Sequence, residues 1–226
     1  MQDKHLSFSQ QYDPVGQINQ TNVVGPVAQA IFRRGVGVNL PSEFGDFELI
    51  SYENADTNAV HLAIIHGKVK GRNSVPLRIH SSCVTGDVLG SLRCDCRQQL
   101  IKALEYIATR DHGMVIYAFQ EGRGIGLANK LRAYYLQERG LDTVDANLAL
   151  GLPGDLRKYD FAKHILSDLK VKSVALMTNN PDKVKQLTDL GISVSEIISH
   201  EVSPCTSNYK YLQTKREKMG HQLSNV

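Results

Sequence analysis

The sequence has little charge of one sign, no long hydrophobic run and few cysteines. Each shortage removes a class of protein. Lys and Arg total 26 against 23 Asp and Glu, a formal net charge of +3. That balance is too even for a nucleic-acid-binding stripe, and no polybasic tail is present. No apolar run reaches the roughly 18–20 residues of a membrane span. The opening residues, MQDKHLSFSQQYDP, are polar and lack the apolar centre of a signal peptide. The expectation is a cytoplasmic protein with neither nucleic acid nor membrane as partner. Cys83, Cys94, Cys96 and Cys205 are too sparse for a disulfide framework, which agrees with a reducing compartment.

What is present is ordinary globular material. The 226 residues suggest one domain, two at most, long enough to bury about 70% of the unfolded surface. Residues 1–25 are rich in Gln, Asn and Ser and read as a loose arm, becoming helical over 26–34. Short β-branched and aromatic runs at 46–51, 60–66 and 76–82 read as strands, with a turn at Gly71–Ser74. Leu100, Ala103, Leu104, Ile107 and Ala108 follow helical spacing, so 97–110 is expected to be a helix. A strand at 114–119, a helix at 127–139 and a helix marked by Phe161, Ile165 and Leu169 follow. Then come a strand at 173–178, a helix opened by Asn180 and Pro181 and ended by Gly191, and a strand at 192–198. Alternating strands and helices imply an α/β, or mixed α+β, single domain: a mixed sheet flanked by helices.

Three of the four cysteines fall within fourteen residues, with spacings of ten and then one intervening residue. Thiolate is the softest protein ligand, so Cys83, Cys94 and Cys96 suit zinc. A structural site calls for a fourth protein ligand, whereas a catalytic one leaves that place to water. Neither Cys205 nor His80 is an obvious fourth ligand. Burial of three small hydrophobes is the plainer alternative, although the polar setting of Cys94-Asp-Cys96 opposes it. Three thiolates set about three negative charges against two on the metal. They acidify a bound water less than neutral imidazoles do, so a nearby proton donor or acceptor is needed.

Gln120–Gly126 (QEGRGIG) lies between a strand and a helix. Glycines there let backbone N–H groups turn toward one anion at a helix N-terminus, and Arg123 could clamp a phosphate; a plain tight turn is the alternative. Asp155 and Arg157 sit in a second polar turn, where Asp155 could simply cap a helix. Thr178 and Lys183 flank a third, whose Asn residues a capping role explains equally well. Tyr134 lies on the helix after the glycine loop, where most tyrosines are core.

Together, Arg78-Ile-His-Ser-Ser-Cys83-Val-Thr-Gly-Asp, Ser91-Leu-Arg-Cys94-Asp-Cys96, the glycine loop and Thr178-Asn-Asn-Pro resemble the GTP cyclohydrolase II family of riboflavin biosynthesis. The tail from Tyr211 to His221 is similar to that family's C-terminal signature. The resemblance spans about Leu40 to His221. It implies an N-terminal arm over 1–36 and a catalytic domain over 37–226. It also implies opening of the imidazole ring of GTP, with release of formate and pyrophosphate to leave a diamino-pyrimidinone ribosylamino phosphate. By the same resemblance zinc sits on Cys83, Cys94 and Cys96, and its hydroxide attacks C8 and then the formamide carbon. Nucleotide contacts fall on Arg78, Ile79, His80, Ser81, Ser82, Gln99, Glu121, Gly122, Arg123, Thr143, Thr178 and Lys183. Asp155 matches the proton acceptor, Arg157 the proposed nucleophile at the α-phosphate, and Tyr134 the group supporting formamide hydrolysis. Mg²⁺ accompanies the triphosphate, and a homodimer is implied.

Three places depart from the family pattern. Ser82 stands where a glutamate is usual, Phe119 where an arginine is usual, and Ile198-Ser-His200 where Val-Pro-Leu is usual. The departures keep two alternatives open: a divergent paralogue acting on another purine nucleotide, and a non-catalytic nucleotide sensor with structural zinc.

Overall fold

The computed structural model describes residues 32–226. The arm expected over 1–31 lies outside the described residues. The helix expected over 26–34 is corrected where it can be seen, because Phe32 to Arg34 belong to a strand. That strand, β1 (Phe32–Ser42), pairs antiparallel with β2 (Gly45–Asn54), with Phe32 opposite Asn54. The domain boundary expected between residues 36 and 37 therefore falls inside β1.

The remaining strands are β3 (Val60–Gly67), β4 (Val75–Ser81), β5 (His112–Ala118), β6 (Val174–Met177) and β7 (Val194–Ile198). They form one seven-stranded sheet in the order β1-β2-β3-β5-β4-β6-β7. The first four strands in that order pair antiparallel, whereas β5, β4, β6 and β7 run parallel. The fold is thus the mixed α/β architecture that the alternation of elements implies.

Helices cover both faces. Alternate residues of a strand point to opposite sides, so Met114 and Ile116 of β5 enter one core and Val115 the other. α1 (Cys96–Ala108) packs Ala103, Leu104 and Ile107 onto the Val115 side. On the opposite face lie α4 (Asp160–Asp168), which buries Phe161, Ala162, Ile165 and Leu166 along one stripe, and α5 (Pro181–Asp189), which buries Leu187. α5 begins as its sequence requires: the Asn180 side chain accepts from the Asp182 N–H at 3.1 Å, with proline in the first turn.

α2 (Gly126–Gln137) begins one residue before the expected 127–139 and ends two residues short of it. Two further helices carry no clear apolar period. α3 (Thr143–Ala149) is capped by Asp142, whose carboxylate accepts from the Val144 and Asp145 N–H groups. α6 (Tyr209–Met219) buries only Leu212. No helix of the described residues is long and apolar enough to cross a membrane.

This topology places the site. From β4 the chain moves to β5 on one side, then crosses back to β6 on the other. Loops leaving the carboxyl ends of β4, β5 and β6 therefore diverge around a crevice, the position where parallel sheets bind ligands.

Candidate active site

The crevice is a cleft open to solvent on one side. Its floor comes from the end of β4, where Arg78, His80, Ser81, Ser82 and Cys83 line it in succession. Cys94 and Cys96 arrive from the start of α1, Glu121, Gly122 and Arg123 from the loop after β5, and Thr178 and Lys183 from the β6–α5 connection. Gln99, Tyr134, Thr143 and Arg157 complete the expected set along its walls. Two expected residues do not face it. The Ile79 side chain is fully buried in the core, and its carbonyl accepts from Lys183 Nζ at 2.9 Å. Asp155 stands behind Arg157 and holds it by a two-pronged ion pair.

The three sulfur atoms lie within 4.8 Å of one another, and Cys83 Sγ is 3.7 Å from Cys94 Sγ. Tetrahedral ligation at a Zn–S length of about 2.3 Å requires sulfur separations of roughly 3.8 Å. Among the described residues no fourth His, Cys, Asp or Glu joins the group. Cys205 is exposed and lies apart from it. Both His80 ring-to-carboxylate contacts, 3.1 and 3.2 Å from Nε2, go to Asp87, which also accepts from the Cys83 N–H and the Tyr117 hydroxyl. His80, through Asp87, thus orients the turn that follows Cys83. The turn itself, a π-helical Val84–Val88, passes so close to the sulfurs that only glycine fits at 86. A Cβ there would sit 2.9 Å from Cys94 Sγ and 3.1 Å from Cys83 Sγ. Hydrogen bonds from the Cys94 and Cys96 thiols, and then from Lys130, hold the Cys83 thiol far below its ordinary range. The donor set and its spacing fit a tetrahedral thiophilic cation such as zinc.

The same cleft is lined by cations. Lys183 and Arg78 are buried, and desolvation pushes Lys183 well below its usual range and Arg78 down to about 10. No carboxylate contacts Lys183, and Arg78 donates to the Met177 carbonyl at 2.9 Å and to the Gln99 amide oxygen. Four buried polar atoms of cleft residues have no partner: Arg78 Nε, His80 Nδ1, Ser81 Oγ and Arg123 Nη1. Buried polar groups are normally hydrogen-bonded, so these orphans mark the place of a polar ligand. Desolvated cations with free N–H groups select an anion.

The glycine loop is strained toward that purpose. Gly122 and Arg123 both adopt left-handed backbone, at φ 61° and 63°, the latter costly for a residue with a Cβ. A Cβ at Gly124 would meet the Leu156 backbone at 3.2 Å, and Leu156 N–H donates to the Arg123 carbonyl at 3.0 Å. The loop is thereby fastened to the Asp155–Arg157 turn. Glu121 fastens its other end, accepting from the Val84 N–H at 2.6 Å through one oxygen and from Lys130 Nζ at 2.7 Å through the other. Its carboxylate is occupied internally, so it positions the loop.

Several cleft residues lie outside the expected set. Lys130 sits one helical turn before Tyr134 on α2, a spacing that shares one face, so the signal was present once Tyr134 was singled out. Lys215 and Tyr211 come from α6. His200, one of the departures, is buried, with Nε2 2.8 Å from the Gln99 carbonyl. The other two departures separate: Ser82 is buried at the cleft, whereas Phe119 is 51% exposed, packed edge-on against Tyr117 at 5.3 Å and outside it.

Comparison with known proteins agrees in its extent. The family model described as GTP cyclohydrolase II matches residues 33–199. The chain is 54% identical over 182 residues to a GTP cyclohydrolase-2 from Picrophilus torridus, covering 80% of this chain and 94% of that one. It is 52% identical to the riboflavin biosynthesis protein RibBA of Endomicrobium trichonymphae, covering 84% of this chain and 47% of that protein. Identity to the Chlamydia trachomatis RibBA is 43%, over 98% of this chain and 53% of that one. The chain thus spans about half the length of the RibBA relatives. A solved structure, RibBX, a two-domain 3,4-dihydroxy-2-butanone 4-phosphate synthase from A. baumannii, aligns at a TM-score of 0.43 and 17% identity, over 78% of this chain and 42% of that one.

Proposed function

The chain belongs to the GTP cyclohydrolase II family, and from that membership we propose that it opens the imidazole ring of GTP, releasing formate and pyrophosphate in the first step of riboflavin biosynthesis. The observation carrying this reading is the meeting, in one cleft, of a three-cysteine metal group and buried cations whose N–H groups lack partners. The two halves match the two halves of the substrate: a purine carbon that needs an electrophilic metal, and a triphosphate that needs positive charge.

Cys83, Cys94 and Cys96 would hold zinc, which supplies a Lewis acid and an acidified water for hydrolysis at C8 and at the formamide carbon. Arg78, Lys183 and Arg123 bind the phosphates, and Mg²⁺ completes their neutralisation. Burial raises the Tyr134 phenol above its ordinary range, so it stays protonated and is suited to donate a proton near the sulfurs. Asp155 keeps Arg157 cationic despite its burial. Arg157 is thus suited to clamp charge at the α-phosphate. Attack by its guanidinium would first require transfer of a proton to Asp155. A homodimer and a cytoplasmic setting follow from the family resemblance.

The test incubates zinc-loaded protein with GTP and Mg²⁺ and assays formate and pyrophosphate. Stoichiometric release of both supports the reading, and absence of formate above background overturns it. Faster turnover of a second purine nucleotide than of GTP would favour the paralogue reading, which the buried Ser82 motivates.

A further inference from the structure

Lys130 stands apart from the cations that face the phosphates. Its Nζ lies 3.0 Å from Cys83 Sγ and 2.7 Å from Glu121 Oε1, and both side chains are close to nine-tenths buried. Glu121 is itself fixed by the Val84 N–H, in the turn that begins one residue after Cys83. The ammonium is therefore held between an anchored carboxylate and a single sulfur, with no freedom to turn to solvent. An ion pair serving only to pin α2 to the glycine loop would need no third group. Here the donor aims at a metal-ligating thiolate.

The chemistry gives that contact a purpose. Three thiolates around a divalent cation leave one net negative charge in a partly desolvated place, which costs free energy and blunts the electrophilicity of the metal. A charge-assisted N–H···S bond draws electron density from sulfur. Groups behind the ligands commonly tune a metal in this way. Resting on the cyclohydrolase reading, we infer that Lys130 is the charge-compensating partner of the Cys83 thiolate and sets the electrophilicity of metal held by the three cysteines. The same face of α2 carries Tyr134, whose ring centroid is 5.7 Å from the ammonium. One helix thus positions both the group that compensates the ligand charge and the proposed proton donor.

The test replaces zinc by cobalt(II) in wild type, Lys130→Gln and Lys130→Arg, and reads the sulfur-to-cobalt charge-transfer band. Lys130→Gln should bind one cobalt per chain with the band moved to lower energy, because an uncompensated thiolate gives up electrons more readily. Lys130→Arg should return it toward wild type. Turnover of GTP by zinc-loaded Lys130→Gln should fall about 10–100-fold with KM little changed. Loss of cobalt in Lys130→Gln with retention in Lys130→Arg also supports the inference. A band unmoved in Lys130→Gln overturns it. So does failure of both variants to hold cobalt while Cys205→Ser holds it, since Lys130 is then a folding pin. Should Lys130→Gln not fold, Glu121→Gln carries the test: the ammonium then leans wholly on sulfur and the band moves to higher energy, and no movement overturns the inference. If the band responds but wild type releases no formate, the cyclohydrolase reading fails and the role of Lys130 at the metal stands.

Discussion

Lys215 of the C-terminal helix places its Nζ 2.9 Å from Oδ1 of Asp95, the residue between Cys94 and Cys96. Asp95 is buried and Lys215 largely so, and Asp95 also accepts from the Gln99 amide. α6 is thereby tied to the loop that carries Cys94 and Cys96. Lys218 adds a second tie to Asp142 and Asp145 at the start of α3.

Removing one member of a buried pair leaves the other charged and desolvated. Lys215→Ala should therefore destabilise the fold by about 3 kcal/mol or more, read by urea unfolding. The pair also has a sign in pH. Lys215 holds Asp95 below its ordinary 3.8, and Asp95 holds Lys215 above its ordinary 10.5. Its contribution is full between those values, and it is lost as pH falls through the depressed carboxylate or rises through the elevated ammonium. Lys185→Ala, on an exposed pair, should leave the midpoint unmoved.

His61 and His200 are buried and neutral, pushed by desolvation to about 4 and about 3. Their folded values lie below the ordinary 6.5, so the unfolded chain binds protons that the folded chain refuses. Stability is full above 6.5 and should fall below it by about 1.4 kcal/mol per pH unit for each ring. His200→Leu should flatten the fall between pH 6 and 4 by one proton. An unchanged slope in unfolding measured across that range would contradict the assignment.

Gly86→Ala should empty the metal site, because its Cβ would press on two sulfurs at 2.9 and 3.1 Å. Metal analysis of protein purified without chelator should show about one zinc per chain in wild type and Cys205→Ser. In Gly86→Ala and Cys94→Ala zinc should be far below stoichiometric.

Arg157→Lys keeps the charge and discards the fork that grips Asp155. It should lower formate release about 100-fold while the protein stays folded, since a lysine cannot reproduce two-pronged geometry. Activity equal to wild type would mean that charge alone suffices there.

Phe119→Arg restores the residue usual in the family at a place outside the cleft. It should leave KM for GTP within about twofold. Ser82→Glu adds a carboxylate to the cleft that Arg78 and Lys183 line and should raise it.

The sequence by itself determined what is local. The strand and helix alternation, the Asn180–Pro181 start of α5 and the strand–glycine loop–helix unit are written in neighbouring residues, and the structure reproduces them. The cysteine spacing likewise marked a thiol cluster. Three elements were not legible. Phe32 to Arg34 suit a helix end as well as a strand, and the partner that decides is β2, about twenty residues on. α3 is only seven residues long, and α6 buries a single apolar side chain, so neither writes a clear period into the sequence. α6 is held by ion pairs to distant residues, and such pairs leave no periodic trace. The site shows the same division. Motifs pointed to many residues that line the cleft but not to Lys130, Lys215 or His200, and only the strand order brought the thiols and the buried cations into one cleft. Contacts across 47 residues, from Lys130 to Cys83, and 120 residues, from Lys215 to Asp95, gave those cysteines their electrostatic setting. Charge interactions depend on distance and desolvation in space, and sequence separation fixes neither.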